Sequence, residues 1–171
     1  MKSNESAEAF RLVACDRTGF PSEDLGELSP AIRESCEATA ALYRKTSFTP
    51  PWIGYLAFFN GAVVGGGAFV GPPQQNRVEI AYFTLPEYEG KAVASRTAST
   101  LVSLAQKANP SLELFAKTLP RLNASTTILG RLGFRQVGTV ADDEIGEAWG
   151  WILTPTSNKA PAVMLPSPRA I

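Results

Sequence analysis

Apolar residues recur at two different periods along this chain, and the changes from one to the other mark out its elements. In residues 30–44, Ile32, Cys36, Ala40 and Tyr43 fall on one face at helical spacing. They follow Ser29-Pro30, an N-cap with proline at the first helical position, so a helix is predicted there. Pro50-Pro51 lies beyond its end. Residues 52–59 and 62–70 flank Asn60-Gly61, a dipeptide that tolerates positive φ at both centres of a type I′ turn, and together they read as a β-hairpin. Gly65, Gly66 and Gly67 fall inside its second strand, where glycine marks a bulge, close packing or the approach of a ligand. Residues 77–85 form the next strand, apolar on both faces except for Glu79.

From Lys91 onward, Ala94, Ala98, Leu101, Ala105 and Ala108 keep helical spacing until Asn109-Pro110 ends the run. A short strand follows over residues 112–117. Asn123 is placed to cap a helix carrying Ile128, Leu129 and Leu132. Gly133-Phe134 opens a strand running to about Val140, and Trp149 and Trp151 share a face of a last one. The first 28 residues are weakly periodic, with a strand over 10–14. The tail from Thr154 holds four prolines, Pro155, Pro161, Pro166 and Pro168, which suits an extended arm or one packed on a partner subunit.

With 171 residues, 44% of them hydrophobic, the chain suffices for one well-packed core and falls short of two ordinary domains. The organisation expected is one domain over 1–153 and a proline-rich tail over 154–171. Sixteen basic residues balance sixteen acidic ones, which argues against a nucleic-acid partner. No stretch nears the roughly 18 apolar residues of a membrane span and no apolar leader opens the chain, so a cytoplasmic protein with no membrane partner is expected. Cys15 and Cys36 make neither a disulfide framework nor a metal-ligand pattern, and no metal is expected. The absence of histidine removes His-activated nucleophiles and His bases together, leaving a carboxylate, tyrosine, lysine, amine terminus or water for proton transfer.

Charge is uneven in a way that bears on ligands. Lys91, Arg96, Lys107, Lys117, Arg121, Arg131 and Arg135 face a single acid, Glu113, in the 91–135 stretch, a balance suited to a phosphorylated ligand. Asp142, Asp143, Glu144 and Glu147 crowd residues 142–147, either as a solvated loop or as an acidic rim that attracts a cationic amine. Between these lies a strand, a short glycine-containing turn and a helix rich in small residues. That order exposes backbone N–H groups and the positive end of a helix dipole to an anion such as a pyrophosphate. The segment reads Glu79-Ile80-Ala81-Tyr82-Phe83-Thr84-Leu85-Pro86, then Glu89-Gly90-Lys91-Ala92-Val93-Ala94.

Val78-Glu79-Ile80-Ala81-Tyr82, the turn over residues 89–94, Thr118-Leu119-Pro120, Asn123-Ala124-Ser125-Thr126, Gly133-Phe134 and Trp149-Gly150-Trp151 occur in this order. In order and spacing they resemble the GNAT N-acetyltransferases, above all the branch with the ribosomal-protein N-terminal acetyltransferases, over roughly residues 52–153. The resemblance implies an α+β fold, an α/β/α sandwich: a mixed, mainly antiparallel central sheet of about six to seven strands flanked by helices. It further implies transfer of an acetyl group from acetyl-CoA to a primary amine, of a small molecule or a protein N-terminus, within a ternary complex. A homodimer is the default for a small soluble enzyme.

By the same resemblance, the backbone of Phe83 and Leu85 holds the pantetheine arm, and N–H groups of Lys91, Ala92, Val93, Ala94 and Ser95 hold the pyrophosphate. The family's Gln/Arg-x-x-Gly-x-Gly/Ala turn becomes Glu89, Ala92 and Ala94 here, with Gly90 one step ahead of its usual place. Glu89 sets a carboxylate near phosphate, which Lys91 and Arg96 are placed to offset. Ala92 offers its N–H provided the turn needs no positive φ there. Asn123 is matched to a contact with the pantetheine or the amine, and equally to an N-cap. Glu79 matches the family's catalytic glutamate and is the expected base, with a structural hydrogen bond as the alternative.

A tyrosine general acid found in many relatives is replaced by Leu129, while Ser125 matches a serine of the ribosomal branch able to donate to the leaving thiolate. N–H groups at a bulge near Phe83 and Thr84 are expected to polarise the carbonyl. Trp52, Tyr55, Tyr82 and Tyr88 are candidates for an acceptor pocket or for the core. The altered turn and Leu129 leave open a second reading, a GNAT-fold module that binds acyl-CoA or a partner with little catalysis.

Overall fold

The computed structural model describes residues 9–155, so nearly all of the proline-rich tail lies outside the described residues. Seven strands form one sheet in the order β1-β2-β3-β4-β5-β7-β6. They are β1 (Phe10–Ala14), β2 (Gly54–Phe59), β3 (Ala62–Phe69), β4 (Arg77–Thr84), β5 (Glu113–Thr118), β6 (Arg135–Asp142) and β7 (Gly146–Leu153). The helices are α1 (Pro30–Lys45), α2 (Val93–Ala108) and α3 (Ala124–Arg131), with a single 3-10 turn, Pro86–Tyr88. All neighbours run antiparallel except β4 and β5, which are parallel.

Local sequence rules account for the borders. Ser29 accepts a hydrogen bond from Ile32 N, Pro30 opens α1, and Arg44 and Lys45 sit at its C-terminal, negative end. Asn60 and Gly61 take φ of 49° and 79°, the left-handed pair that the hairpin turn requires. The glycine run in β3 serves packing. A Cβ on Gly67 would lie 2.8 Å from Leu101 Cδ1 of α2, and one on Gly66 would lie 3.0 Å from the Phe83 ring. A register shift stands beside the run, where Ala57 pairs with Gly65 and Phe58 with Val63. Along β4 the pairing with β3 is regular from Ile80 to Thr84, so the bulge expected near Phe83 and Thr84 is absent and the irregularity lies one strand pair away.

Adjacent residues of β2 show how the layers form. Thr39 and Tyr43 of α1 press on Gly54, whereas Tyr55 pairs with Gly67 on the face seated against α2. The sheet is thus sandwiched, with α1 on one side and α2 and α3 on the other. Phe69, Leu101 and Leu129 are fully buried in the core on the α2 side, each such side chain contributing about 1.5–3 kcal/mol. Tyr55 donates to Pro51 O at 2.7 Å and is buried, and the half-buried Trp52 packs edge-on against Phe69, so both pack on the core. Gly133 and Phe134 precede β6, which starts at Arg135; Phe134 is buried where the chain turns back from α3.

Candidate active site

The parallel pair opens like a fork. Residues 77–80 of β4 pair with residues 113–116 of β5, but Ala81, Tyr82, Phe83 and Thr84 follow β3 with no partner on the β5 side. Beyond Ala116, β5 instead follows β7, and Trp151 Nε1 donates to Thr118 Oγ1 at 3.0 Å to fix it there. Half of β4 therefore presents a bare strand edge, a row of backbone groups that an extended chain can pair with.

At the open end of the fork, α2 begins without a side-chain cap. Its first helical bond runs from Arg96 N to Ala92 O, and among the described residues the N–H groups of Val93, Ala94 and Ser95 have no acceptor. Three orphan donors and the helix dipole together make a site for an anion. Gly90 and Ala92 both take left-handed φ, 76° and 61°. The turn does need positive φ at Ala92, then, and alanine adopts it where glycine would do so without steric cost.

The bare edge, this turn and α3 enclose a cavity of about 640 Å³. Of the sequence-predicted cofactor residues, Phe83, Thr84, Glu89, Gly90, Ala92, Val93, Ala94 and Ser95 all line it, and so does Ser125. Among the described residues, two buried polar atoms of residues lining it lack any hydrogen-bond partner, Tyr82 Oη and Thr84 Oγ1. Burial pushes the Tyr82 phenol above its usual pKa; the neighbouring Ser125 hydroxyl pulls it back, although no hydrogen bond within 3.5 Å closes between them.

Three expected contacts fall outside this lining. Leu85 is buried among Cys15, Ile32, Cys36 and Leu56, and its N–H is spent on Val64 O at 2.9 Å; Phe83, two residues back on the strand, likewise turns its backbone toward β3, so the free backbone groups of the bare edge are those of Tyr82 and Thr84 and not the expected Phe83 and Leu85. Asn123 caps α3, its Oδ1 accepting from Thr126 N while Thr126 Oγ1 accepts from Asn123 N, both at 3.0 Å. Lys91 sits over the ring of Tyr88, 5.5 Å from its centroid, at the rim. Arg96, expected to offset Glu89, is instead stacked on Phe59 and Phe10. The cavity's cation is Arg131, from the last turn of α3. Arg131, one of the basic residues of the 91–135 stretch, is brought here only by the fold, and Tyr82 and Tyr88, candidates for an acceptor pocket or the core, also line this cavity.

Glu79 lies on the other face of the sheet. Residues 77, 79, 81 and 83 alternate with those facing α2, and Glu79 borders a second cavity, of about 620 Å³, with Lys45, Arg77 and Phe115. Lys117 Nζ stands between two carboxylates, 3.8 Å from Glu79 and 3.3 Å from Asp142. Burial pushes the Glu79 carboxyl above its ordinary range, Lys117 draws it down and Asp142 adds to the rise. Asp142 is held below the ordinary range, chiefly by backbone N–H groups of Glu144 and Ile145 and then by Lys117. One member of the acidic loop thus turns inward, while Asp143, Glu144 and Glu147 are exposed as a solvated loop would be.

The forked sheet and uncapped helix agree with the comparisons. The model of the acetyltransferase (GNAT) domain matches residues 8–135, and the chain belongs to that family. No curated protein sequence matches the chain. Among solved structures, a ribosomal-protein alanine acetyltransferase from Vibrio fischeri superposes with a TM-score of 0.64 at 14% identity, covering 92% of this chain and 98% of that one. RimL, a ribosomal-protein α-N-acetyltransferase, gives 0.62 at 15%, covering 88% and 95%. YncA of Salmonella typhimurium, solved with acetyl-CoA, gives 0.58 at 17%, covering 92% and 99%. These likenesses establish the shared fold. Among the described residues no helix is long and apolar enough to cross a membrane, and no cluster of three or more His, Cys, Asp or Glu side chains is placed to hold a metal ion.

Proposed function

We propose that this chain transfers the acetyl group of acetyl-CoA to a primary amine, binding both substrates before chemistry. The observation that carries this reading is the convergence, in one cavity, of a bare strand edge, three orphan helix N–H groups and two unpartnered buried hydroxyls. Buried polar groups are normally satisfied, and a long polar ligand with an anionic end would satisfy all of these at once. The residues fit such a molecule: Val93, Ala94 and Ser95 would hold the pyrophosphate, and the free backbone edge at Tyr82 and Thr84 the pantetheine.

Glu79, on the opposite face beside the fork, would take the proton of the attacking amine. Its desolvated carboxyl suits a base better than an ordinary surface glutamate. The free N–H groups of Tyr82 and Thr84 would polarise the carbonyl, and alignment would supply much of the remaining acceleration. A peptide N-terminus is the first acceptor class to try, because two structures that share this fold, RimL and the Vibrio fischeri enzyme, are named as ribosomal-protein acetyltransferases.

Calorimetric titration with acetyl-CoA, followed by free-thiol release across peptides with free α-amines and small polyamines, tests the proposal. Binding with acceptor-dependent release is expected. Absence of binding at millimolar acetyl-CoA would overturn it, and binding without turnover on any amine would point to the acyl-CoA-binding module that Glu89 and Ala92 left open.

A further inference from the structure

We infer that the acceptor is a peptide whose N-terminal residue is followed by an acidic one, read by Lys45 and Arg77 in the cavity beside Glu79; the inference rests on the acetyl-transfer reading above. That cavity, of about 620 Å³, is lined by Glu79, Phe115, Lys45 and Arg77 together with Gln74 and Gln75. It extends from Glu79 toward the start of β4, away from the strand edge offered to the cofactor. Its volume, in the range of drug-sized ligands, admits more than a single small amine. Among the described residues Glu79 is the one acid lining it, against two cations.

Spacing sets which residue of the acceptor meets the cations. Arg77 and Glu79 are two positions apart on β4 and share a face, so their side chains leave the strand about 6.6 Å apart. An amine held at Glu79 brings the next side chain within that reach, since one residue of extended chain spans about 3.5 Å and an acidic side chain covers the rest. Arg77 is already oriented: Glu113 takes its Nε and one terminal nitrogen, and its guanidinium lies 5.4 Å from the centre of the Phe115 ring. Among the described residues its second terminal nitrogen makes no hydrogen bond, and Lys45, in the last turn of α1, makes no ion pair.

The wall between the two cations is anchored at both ends. Gln75 and Asn76 take left-handed φ, 49° and 61°, in a two-residue turn closed by Gln74 N to Arg77 O at 2.9 Å and Arg77 N to Gln74 O at 3.0 Å. Residues other than glycine hold that conformation at a cost. Asn76 is tied down twice, its Nδ2 donating to Ser111 O at 2.8 Å and its O accepting from Glu113 N at 3.0 Å. At the other end of the loop Gly71 takes φ of 89°, and a Cβ there would lie 3.0 Å from Thr46 Cγ2, so the loop is seated against the residue after Lys45. The acids of the β6–β7 turn lie elsewhere. Asp142 is spent on the N–H groups of Glu144 and Ile145 and on Lys117, and the exposed Asp143, Glu144 and Glu147 line no part of this cavity.

Three peptides that begin Ala-Glu, Ala-Gln and Ala-Lys and are otherwise identical are compared by free-thiol release from acetyl-CoA at low salt, with a small polyamine alongside. The wild-type chain, Lys45→Glu and Arg77→Gln are each assayed. In the wild type kcat/KM should favour Ala-Glu over Ala-Gln by about fivefold, the scale of an exposed ion pair, with Ala-Lys last. Lys45→Glu should reverse the order so that Ala-Lys leads, and Arg77→Gln should lower the preference for Ala-Glu. Structural damage alone would slow all three peptides alike and leave their ratios as they were. A wild-type ratio near one, or in favour of Ala-Lys, would overturn the inference whatever the variants do. So would a preference for Ala-Glu that survives both substitutions, or release with the polyamine alone. Release with no amine at all is a separate result that removes the acetyl-transfer reading, and this inference with it.

Discussion

The two faces of the fork are built from different materials. On the helix face the ligand groups are mostly backbone, the N–H groups of residues 93–95 and the bare edge of residues 81–84, and the side chains around them vary from the family's pattern without closing the cavity. On the other face the chemistry sits in side chains, Glu79, Lys117 and Asp142, held by distances of 3.8 and 3.3 Å. A backbone site tolerates substitution because its donors belong to the fold, whereas a side-chain site is lost with one residue. On the proposed reading the difference would let Glu89 and Ala92 stand in a pyrophosphate turn, and it separates the effects that substitutions on the two faces should have.

Glu79→Gln should produce the largest change, a loss of about 10² to 10⁴-fold in kcat with acetyl-CoA affinity unchanged, read by thiol release and calorimetry. Wild-type turnover would return Glu79 to a structural role. The same substitution should raise Tm at neutral pH. Burial raises the folded pKa of Glu79, so its contribution to stability is fully present below the unfolded value near 4.3 and is lost as pH rises through the folded one. Melting curves of the two proteins should converge in acid and separate toward neutrality.

Ala92→Gly probes the backbone side. Releasing a left-handed alanine should stabilise the chain by about 1 kcal/mol, visible in thermal unfolding, and leave coenzyme A binding intact or tighter. Destabilisation would mean that the alanine methyl contributes more by packing than the turn loses by its φ. Arg131→Ala should weaken coenzyme A by no more than about fivefold, and only at low salt, because the side chain is exposed and screened. Equal weakening at high salt would show a contact closer than the surface kind.

The smallest effect concerns pH. A base must be deprotonated, so kcat/KM should fall on the acid side at a pH above the ordinary glutamate range. Lys117→Met removes the cation that draws the Glu79 pKa down, and should move that fall to higher pH. A shift to lower pH, or none, would detach Lys117 from the ionisation of Glu79.

Local rules made much of the fold legible. Ser29-Pro30, Asn60-Gly61 and Asn109-Pro110 mark borders through backbone conformations that few other residues favour, and each border stands within a residue or two of its predicted place. The strand, turn and helix of the cofactor side were legible for the same reason, since an anion site of backbone groups needs only a helix start and small residues. Arg131 and the orphaned hydroxyl of Tyr82 were not. Arg131 comes from a helix nearly 40 positions downstream of the turn it faces, and Tyr82 reads as one more aromatic in an apolar strand until the fork leaves it without a partner.

By itself, then, the sequence determined the elements, the helix start that can hold an anion and the single carboxylate on an apolar strand, because these depend on residues near one another in the chain. Only the tertiary structure decided that Arg96 stacks on Phe59, that Lys117 bridges Glu79 and Asp142, and that Glu79 and Tyr82 stand on opposite faces of an opened strand pair. Those relations depend on where β5 leaves β4 for β7, a long-range pairing that no local pattern encodes.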